Sequence, residues 1–245
     1  MPRTKDAPLS ETPTPRPALP ALDEFSGTLA QKVYLSFKQA ILGLTFRPGE
    51  IMQKQEICAE LGVSRSPVSE AVARLAAEGL VNVMPQAGTF VARLSMDEIR
   101  EGAFLREALE LAAVEIVAAT ISEEQLVLLR RNLRIQEALM QDGDNAGFYQ
   151  MDAKMHELIL SFTTYKRLAT MAETAWVHVN RARQLILPAP GRIEATLEEH
   201  KAIVSALEAH DPEAARTATR HHLRQLITFL EPLVETHPDW FDTKG

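Results

Sequence analysis

One cysteine, Cys58, is all that the 245-residue chain contains, so no intramolecular disulfide can brace it. Stability must come from an apolar core, which this length can build as one large domain or two smaller ones. The same scarcity fits a reducing compartment, and a cytoplasmic location is expected. No run of about 18 apolar residues is present, so no membrane partner is expected. Arg3 and Lys5 near the N-terminus are not followed by an apolar stretch, so no secretory signal is read. Positive charge is also short overall: the net charge is −7 and the sequence pI about 5.6. The deficit is uneven. Residues 28–94 carry seven Lys/Arg against five Asp/Glu, and residues 95–245 carry sixteen against twenty-four. A mildly basic first part and an acidic second part point to different partners, and the average hides any nucleic-acid face in the first part.

Proline is concentrated where order is least expected. Six of the fourteen fall within residues 1–24, in a stretch containing "APLSETPTPRPALP", which reads as a disordered arm. A helix fits 27–43, where Leu29, Val33, Phe37, Ala40 and Ile41 recur at helical spacing. "FRPGE" breaks it, a short helix follows near 53–60, and "LGVS" turns the chain at Gly62. Ser64 can cap the next helix, Pro67 falls in its first turn, and Gly79 ends it. "LVNVM", "PQAG" and "TFVAR" read as two short strands around a turn. After residue 94 the pattern is helical throughout. Capping boxes at Ser95/Glu98 and Ser122/Gln125, and Asp211 before Pro212, mark helix starts. Six helices are expected, at about 96–119, 122–141, 145–162, 164–187, 192–209 and 212–235, with short connections that make neighbours antiparallel. The fold class is therefore mainly α: a winged helix-turn-helix over 25–94, then an antiparallel all-α bundle over 95–237, with 1–24 as an arm and 238–245 as a tail.

Helix, helix, turn, helix, hairpin is an arrangement suited to DNA. The helix beginning at Ser64 presents Ser64, Arg65, Ser66 and Ser69 at its N-terminal end, where backbone N–H groups and the helix dipole attract phosphate and an Arg reaches guanine edges. The segment "RPGEIMQKQEICAELGVSRSPVSEAVARLAAEGLVNVMPQAGTFV" (47–91) closely resembles the DNA-binding domain of the GntR family of bacterial transcription regulators. The resemblance implies that Arg65 and the polar residues beside it meet bases or phosphates, with Gln55 and Arg74 as further DNA-binding candidates, and that Gly88 of the wing approaches the duplex. Three positions depart from many relatives: Ser69 stands where an Arg is common, and Gln55 and the Gln86–Ala87 wing tip stand where basic residues occur. Each missing charge should weaken phosphate attraction.

The bundle carries polar residues in core-facing slots. In "MDAKMHELIL", Asp152 and His156 are one turn apart on one helix face, beside the apolar stripe. His200 interrupts the stripe Ile193, Leu197, Val204, Leu207, and His222 interrupts Ala215, Ala218, Leu226, Phe229. His221 shares a face with Thr217, Arg224 and Thr228 and is left outside. The turn between the last two helices centres near Asp211, so each inward His lies about 16 Å from it along an antiparallel pair, at one level. Buried imidazoles need a partner or a metal. Asp152, His156, His200 and His222 are therefore read as ligands of a divalent ion, Zn foremost, with Ni, Mn, Co or Fe also suited. Arg106 has two readings, an ion pair with Glu110 or a fork for a ligand carboxylate. Asn180 and Arg183, in "VHVNRARQ", are candidates for the same cavity.

"FLREALELAAVEIVA" (104–118), "DAKMH" (152–156), "LEEHKAIVSALEAHDPEAA" (197–215) and "RHHL" (220–223) resemble the FCD effector-binding domain of the FadR subfamily. That resemblance implies an Asp/His metal site, a small organic-acid effector touched by Arg106, and a homodimeric regulator, a repressor among the expectations, that reads a pseudo-palindromic operator. Two other functions remain open at this point. A metal-dependent hydrolase would need a second carboxylate or a free His poised for turnover; Glu157 and Glu199 adjoin ligands in sequence, but helical geometry turns them elsewhere. A protein-interaction module would use the winged helix without DNA.

Overall fold

A computed structural model describes residues 18–242, apart from the side chains of 169 and 173–175. The first unit is built on α1 (Leu29–Leu42), α2 (Lys54–Leu61) and α3 (Arg65–Ala77), followed by β1 (Val81–Met84) and β2 (Gly88–Val91). Thr28 caps α1 by accepting the N–H of Gln31. The α2–α3 turn passes through Gly62 at φ 65°, a left-handed conformation that a side chain would strain. The strands pair antiparallel with Val81 opposite Val91 and Met84 opposite Gly88, and Ile51 bridges to Phe90 on the outer edge. Apolar spacing on the three helices sends Val33, Phe37, Ile41, Ile57, Val68, Val72 and Leu75 into one core closed by Leu80 and Val91. Each such side chain contributes about 1.5–3 kcal/mol on burial.

The second unit is an all-α bundle: α4 (Met96–Thr120), α5 (Glu123–Asp142), α6 (Asn145–Ser161), α7 (Leu168–Ala175), α8 (Val177–Ile186), α9 (Arg192–Glu208) and α10 (Pro212–Thr236). The starts follow the sequence signals: Ser95 and Ser122 each accept the N–H three residues on, and Asp211 Oδ1 accepts from Glu213 and Ala214. The pairs Arg100–Glu231, Glu107–Arg224 and Glu115–Arg216 fix α4 antiparallel to α10.

Three expectations need correction. The single helix expected over 164–187 is two helices, with the break at Trp176 (φ −100°, ψ 7°). No Gly or Pro marks the break. It lets the Trp176 ring enter the bundle core while Val177, the next residue, packs into the core of the first unit. The arm expected over 1–24 lies outside the described residues as far as 17, together with Arg3, Lys5 and Arg16. Residues 18–24 are packed: Leu19 is buried, its N–H donates to Glu60 Oε1 (2.6 Å), and Ser36 Oγ donates to Pro20 O. The expected tail at 238–245 is also docked as far as Asp242. Leu94, which joins the two units, donates its N–H to Trp240 O and accepts from Asp242 N, and Phe241 is buried beside it.

Candidate metal centre and nucleic-acid interface

Four helices deliver polar side chains to one level of the bundle: α6 brings Asp152 and His156, α9 brings His200, α10 brings His222, and α4 brings Arg106 and Glu110. All six are buried. One ligand atom from each of Asp152, His156, His200 and His222 converges, all within 4.8 Å of one another. Around the ring, Asp152 Oδ1 lies 3.3 Å from His156 Nε2, which lies 3.2 Å from His222 Nε2. His222 Nε2 is 3.4 Å from His200 Nε2, which is 3.2 Å from Asp152 Oδ1. These spacings are close to the edge of about 3.4 Å between neighbouring ligands of a four-coordinate ion with bonds of about 2.1 Å.

The other nitrogen of each ring explains why the Nε2 atoms face inward. His156 Nδ1 is 2.6 Å from Glu110 Oε2, His222 Nδ1 is 2.8 Å from Glu199 Oε2, and His200 Nδ1 is 2.8 Å from Gln136 Oε1. Carboxylate and amide oxygens accept, so each Nδ1 carries the hydrogen and each Nε2 of a neutral ring is left with a lone pair. Three lone pairs and a carboxylate oxygen then point at one another. Asp152 Oδ1 has no hydrogen-bond donor of its own. Such a set repels itself unless a cation lies among its members, and its chemistry fits a divalent ion.

The electrostatics keep the ligands in their binding forms. Burial pushes the Asp152 carboxyl up, but the Arg183 guanidinium, bonded to Oδ2, outweighs it and, with the His156 and His200 rings alongside, holds Asp152 well below the usual carboxylate range. Burial lowers His200, and burial together with the neighbouring His200 and His156 lowers His222 further, so both favour the neutral ring. Glu110 is also held low: burial opposes ionisation, and His156 and Arg106 more than compensate.

Beside the ring a cavity of about 390 Å³ is lined by His156, Glu157, Leu160, Trp176, Asn180 and Arg183, among others. Its size falls within the range of small-molecule sites. Arg106 donates Nε to Glu110 Oε1 (2.7 Å), as its sequence spacing allowed, while its Nη2 is buried without a partner, and so is Trp176 Nε1. Asn180 is half-buried and accepts from Arg183 Nη1. His221 is exposed.

Sequence reasoning missed the three acceptors that orient the rings. Glu199 was expected to point elsewhere, yet it takes the His222 hydrogen and a two-pronged ion pair from Arg192. A signal was present: Glu110 and Gln136 occupy core slots of their helices, in step with Ala113, Val117 and Leu126, Leu129. Glu157, in contrast, is exposed and pairs with Lys154.

On the first unit, Gln55, Ser64, Arg65, Ser66 and Ser69 are all exposed around the start of α3, and Gly88 is exposed on the wing at φ 126°. Ser64 occupies the N-cap position without a side-chain capping bond. Arg74 behaves differently from the others. Its guanidinium lies 3.7 Å over the Tyr34 ring and donates to Gln31 Oε1, so it ties α3 to α1.

Comparison with known proteins agrees with this architecture. Residues 29–91 match the model of bacterial regulatory proteins of the gntR family, and residues 101–225 match the FCD domain. The HTH-type transcriptional repressor RspR of Escherichia coli K12 is 29% identical over 86% of this chain and 92% of its own. An HTH-type transcriptional regulator in an unstable DNA locus of Streptomyces ambofaciens is 33% identical over 88% of this chain and 91% of its own. The solved structure of E. coli McbR/YncC superposes with a TM-score of 0.73 at 23% identity, covering 84% of this chain and 99% of that one, a likeness of fold. These relatives are transcription regulators, not enzymes, and with both domains matched in order the chain belongs to the GntR family of regulatory proteins, a transcriptional regulator with a DNA-binding helix-turn-helix and an FCD domain.

Proposed function

We propose that the protein is a homodimeric repressor whose grip on a pseudo-palindromic operator is set by a small carboxylate bound at a metal-containing pocket. The observation that carries this reading is the shared wall between ring and cavity: His156 belongs to both, and Arg183, bonded to Asp152 Oδ2, lines the cavity. Asp152, His156, His200 and His222 would hold the ion, Zn foremost. When bound, the ion supplies a Lewis-acidic anchor for an oxygen of the ligand. The chain's own residues do the rest. Trp176 Nε1 is an unspent donor on the cavity wall, Asn180 with Arg183 closes the polar side, and Arg106, which lines a narrow adjoining space with Asp152, Arg183 and His222, keeps Nη2 as a further donor. The working division of the chain is a DNA-binding unit over 25–94, with 18–24 packed on it, and an effector unit over 95–237, with 238–242 docked at the junction.

Helix α8 supports a route from pocket to DNA. It carries Asn180 and Arg183 at the cavity, and at its start Val177 packs in the core of the winged helix. His178 lies 3.6 Å from Glu98 on α4 and borders Gly79, just beyond α3. A ligand that moves α8 therefore shifts the seat of the reading head, and a ligand that binds the two arrangements unequally changes DNA affinity. On the DNA side, Gln55, Ser64, Arg65, Ser66 and Ser69 face the duplex, with Gly88 allowing the wing a close approach. Arg74 acts as a brace for that surface.

The test has two parts. Elemental analysis of protein purified without a His-tag should give near one metal per chain, lost in the His200→Ala/His222→Ala double variant. Genomic fragments captured by the protein should bind at low salt and be released by a carboxylate metabolite. Equal affinity of the double variant for added Zn²⁺ would remove the metal reading. A failure to hold any genomic fragment would remove the DNA reading.

A further inference from the structure

Four arginines are buried among the described residues, and three of them hold a carboxylate: Arg106 holds Glu110, Arg183 holds Asp152 and Arg192 holds Glu199. The fourth, Arg181 on α8, has no such partner among the described residues. It is 0% exposed, and its Nε, Nη1 and Nη2 all lack a hydrogen-bond acceptor. Burial pushes its pKa down to about 10, with no described carboxylate to offset the fall. A long cationic side chain ordinarily keeps its head in water, and a guanidinium taken out of water without a partner is strongly destabilising.

The place of Arg181 decides which arrangement bears that cost. On α8, Val179, Ala182 and Ile186 enter the core of the bundle. The opposite face looks toward the first unit. Val177, four residues before Arg181, packs in that unit's core, and Gln184, three residues after it, lines a cleft facing α1. Arg181 lies on this face between them. The seam is incompletely filled: a cleft of about 910 Å³ lies between Leu35, Gln39 and Leu42 of α1 and Tyr149, Ala153 and Gln184 of the bundle. His178 Nδ1, also in the seam, is 3.6 Å from Glu98 and makes no hydrogen bond.

We infer that Arg181 is a built-in release: it keeps the docking of the first unit on the bundle close to balance, so that the seam opens while both units stay folded. Docked, the guanidinium is shut away from solvent without an acceptor. Opened, it regains its hydration. The penalty therefore falls on the docked arrangement, and an apolar side chain of similar length would not carry it. The inference rests on the reading that α8 carries a signal from pocket to reading head, and it explains why a small ligand suffices. Asn180 and Arg183 flank Arg181 and line the cavity beside the ligand ring. Between two arrangements of nearly equal free energy, a modest difference in ligand affinity moves most of the population.

Thiol labelling of the full chain tests the release. In a Cys58→Ser background, Val177→Cys places one thiol in the seam, Val33→Cys one in the core of the first unit and Val117→Cys one in the core of the bundle. Reaction with a soluble aromatic disulfide reads how often each site opens. Circular dichroism confirms that each variant is folded. The thiol at 177 should react about a hundredfold faster than those at 33 and 117, because the seam opens below the free energy of unfolding either unit. Adding Arg181→Met should slow the reaction at 177 by about tenfold or more. Inorganic phosphate at constant ionic strength should leave the rate at 177 unchanged. Equal rates at all three sites would mean that the seam opens only when a unit unfolds. Unchanged or faster labelling at 177 in Arg181→Met would mean that a partner holds the guanidinium in the docked state. Slowing by phosphate that disappears in Arg181→Met would assign Arg181 to an anion. Each of these three results overturns the release. None of the rates involves DNA or a ligand, so a protein that no carboxylate frees from DNA would remove the regulator reading and leave the seam result standing.

Discussion

Glu199 Oε2 lies 2.8 Å from His222 Nδ1, and the same carboxylate is gripped on both oxygens by Arg192. This fixes the ring's tautomer and points Nε2 at the other ligands. Glu199→Ala should therefore weaken metal binding by about 10- to 100-fold while leaving the four ligands in place. Competition against a chromophoric chelator measures it. An unchanged metal affinity would show that the rings are held by packing alone.

Arg65 and Arg74 sit on the same helix and should fail in different ways. Arg65→Ala should lower DNA affinity and reduce the dependence on log salt by about one unit if it meets a phosphate, with no change in melting temperature. Arg74→Ala should cost about 1 kcal/mol of stability, because it loses the Tyr34 ring and Gln31. Fluorescence anisotropy at several salt concentrations, paired with denaturant melts, separates the two. Reversed phenotypes would mean that Arg74, not Arg65, reads the DNA.

Glu78, at the end of α3, accepts from Tyr34 and pairs with Lys38 on α1. Burial raises its pKa, but the Tyr34 and Lys38 hydrogen bonds outweigh burial and leave it below the ordinary value. A lowered carboxyl pKa adds stability that is present above the unfolded-state value and is lost as pH falls through the folded one. Urea melts of wild type and Glu78→Gln should differ at pH 7 and converge below about pH 4. The side chain is 30% exposed, so the difference should stay below about 1 kcal/mol. A gap that persists unchanged at pH 3 would assign the effect to packing.

Phe241 is buried against the Leu94 junction, and two backbone hydrogen bonds hold the segment there. Phe241→Ala should cost about 3 kcal/mol. Its melting temperature should fall by several degrees. A melt indistinguishable from wild type would mean that the segment is not docked in solution.

The ordinary helices were legible because their signals are local. Ser95, Ser122 and Asp211 cap where they stand, and the apolar period carried the helix starting near residue 96, or 212, to within a residue or two of its observed end. The His200/His222 level also followed from counting residues around Asp211, because a short turn between rigid helices leaves little freedom. The winged helix was legible through its turn glycines and the serine at the N-cap position of α3. Trp176 was not. Nothing local interrupts the helix there, and the break comes from two cores claiming adjacent residues.

The sequence by itself determined that His200 and His222 turn inward, since helical periodicity assigns both to core faces, and that Asp152 and His156 share one face beside the apolar stripe. It also determined where α3 begins, with Gly62 supplying the turn, Ser64 the N-cap position and Pro67 a place in the first turn. Only the tertiary structure decided how those inward groups are held. Glu110, Gln136 and Glu199 reach the rings across helix interfaces, and no spacing within one helix encodes a 2.6 to 2.8 Å contact between three of them. Packing likewise decided that Arg74 braces α1, that residues 18–24 and 238–242 are docked, and that α8 belongs to the pocket at one end and to the reading head at the other. Local pattern sets which face of an element is buried; the partner it is buried against is settled when all the faces are satisfied at once.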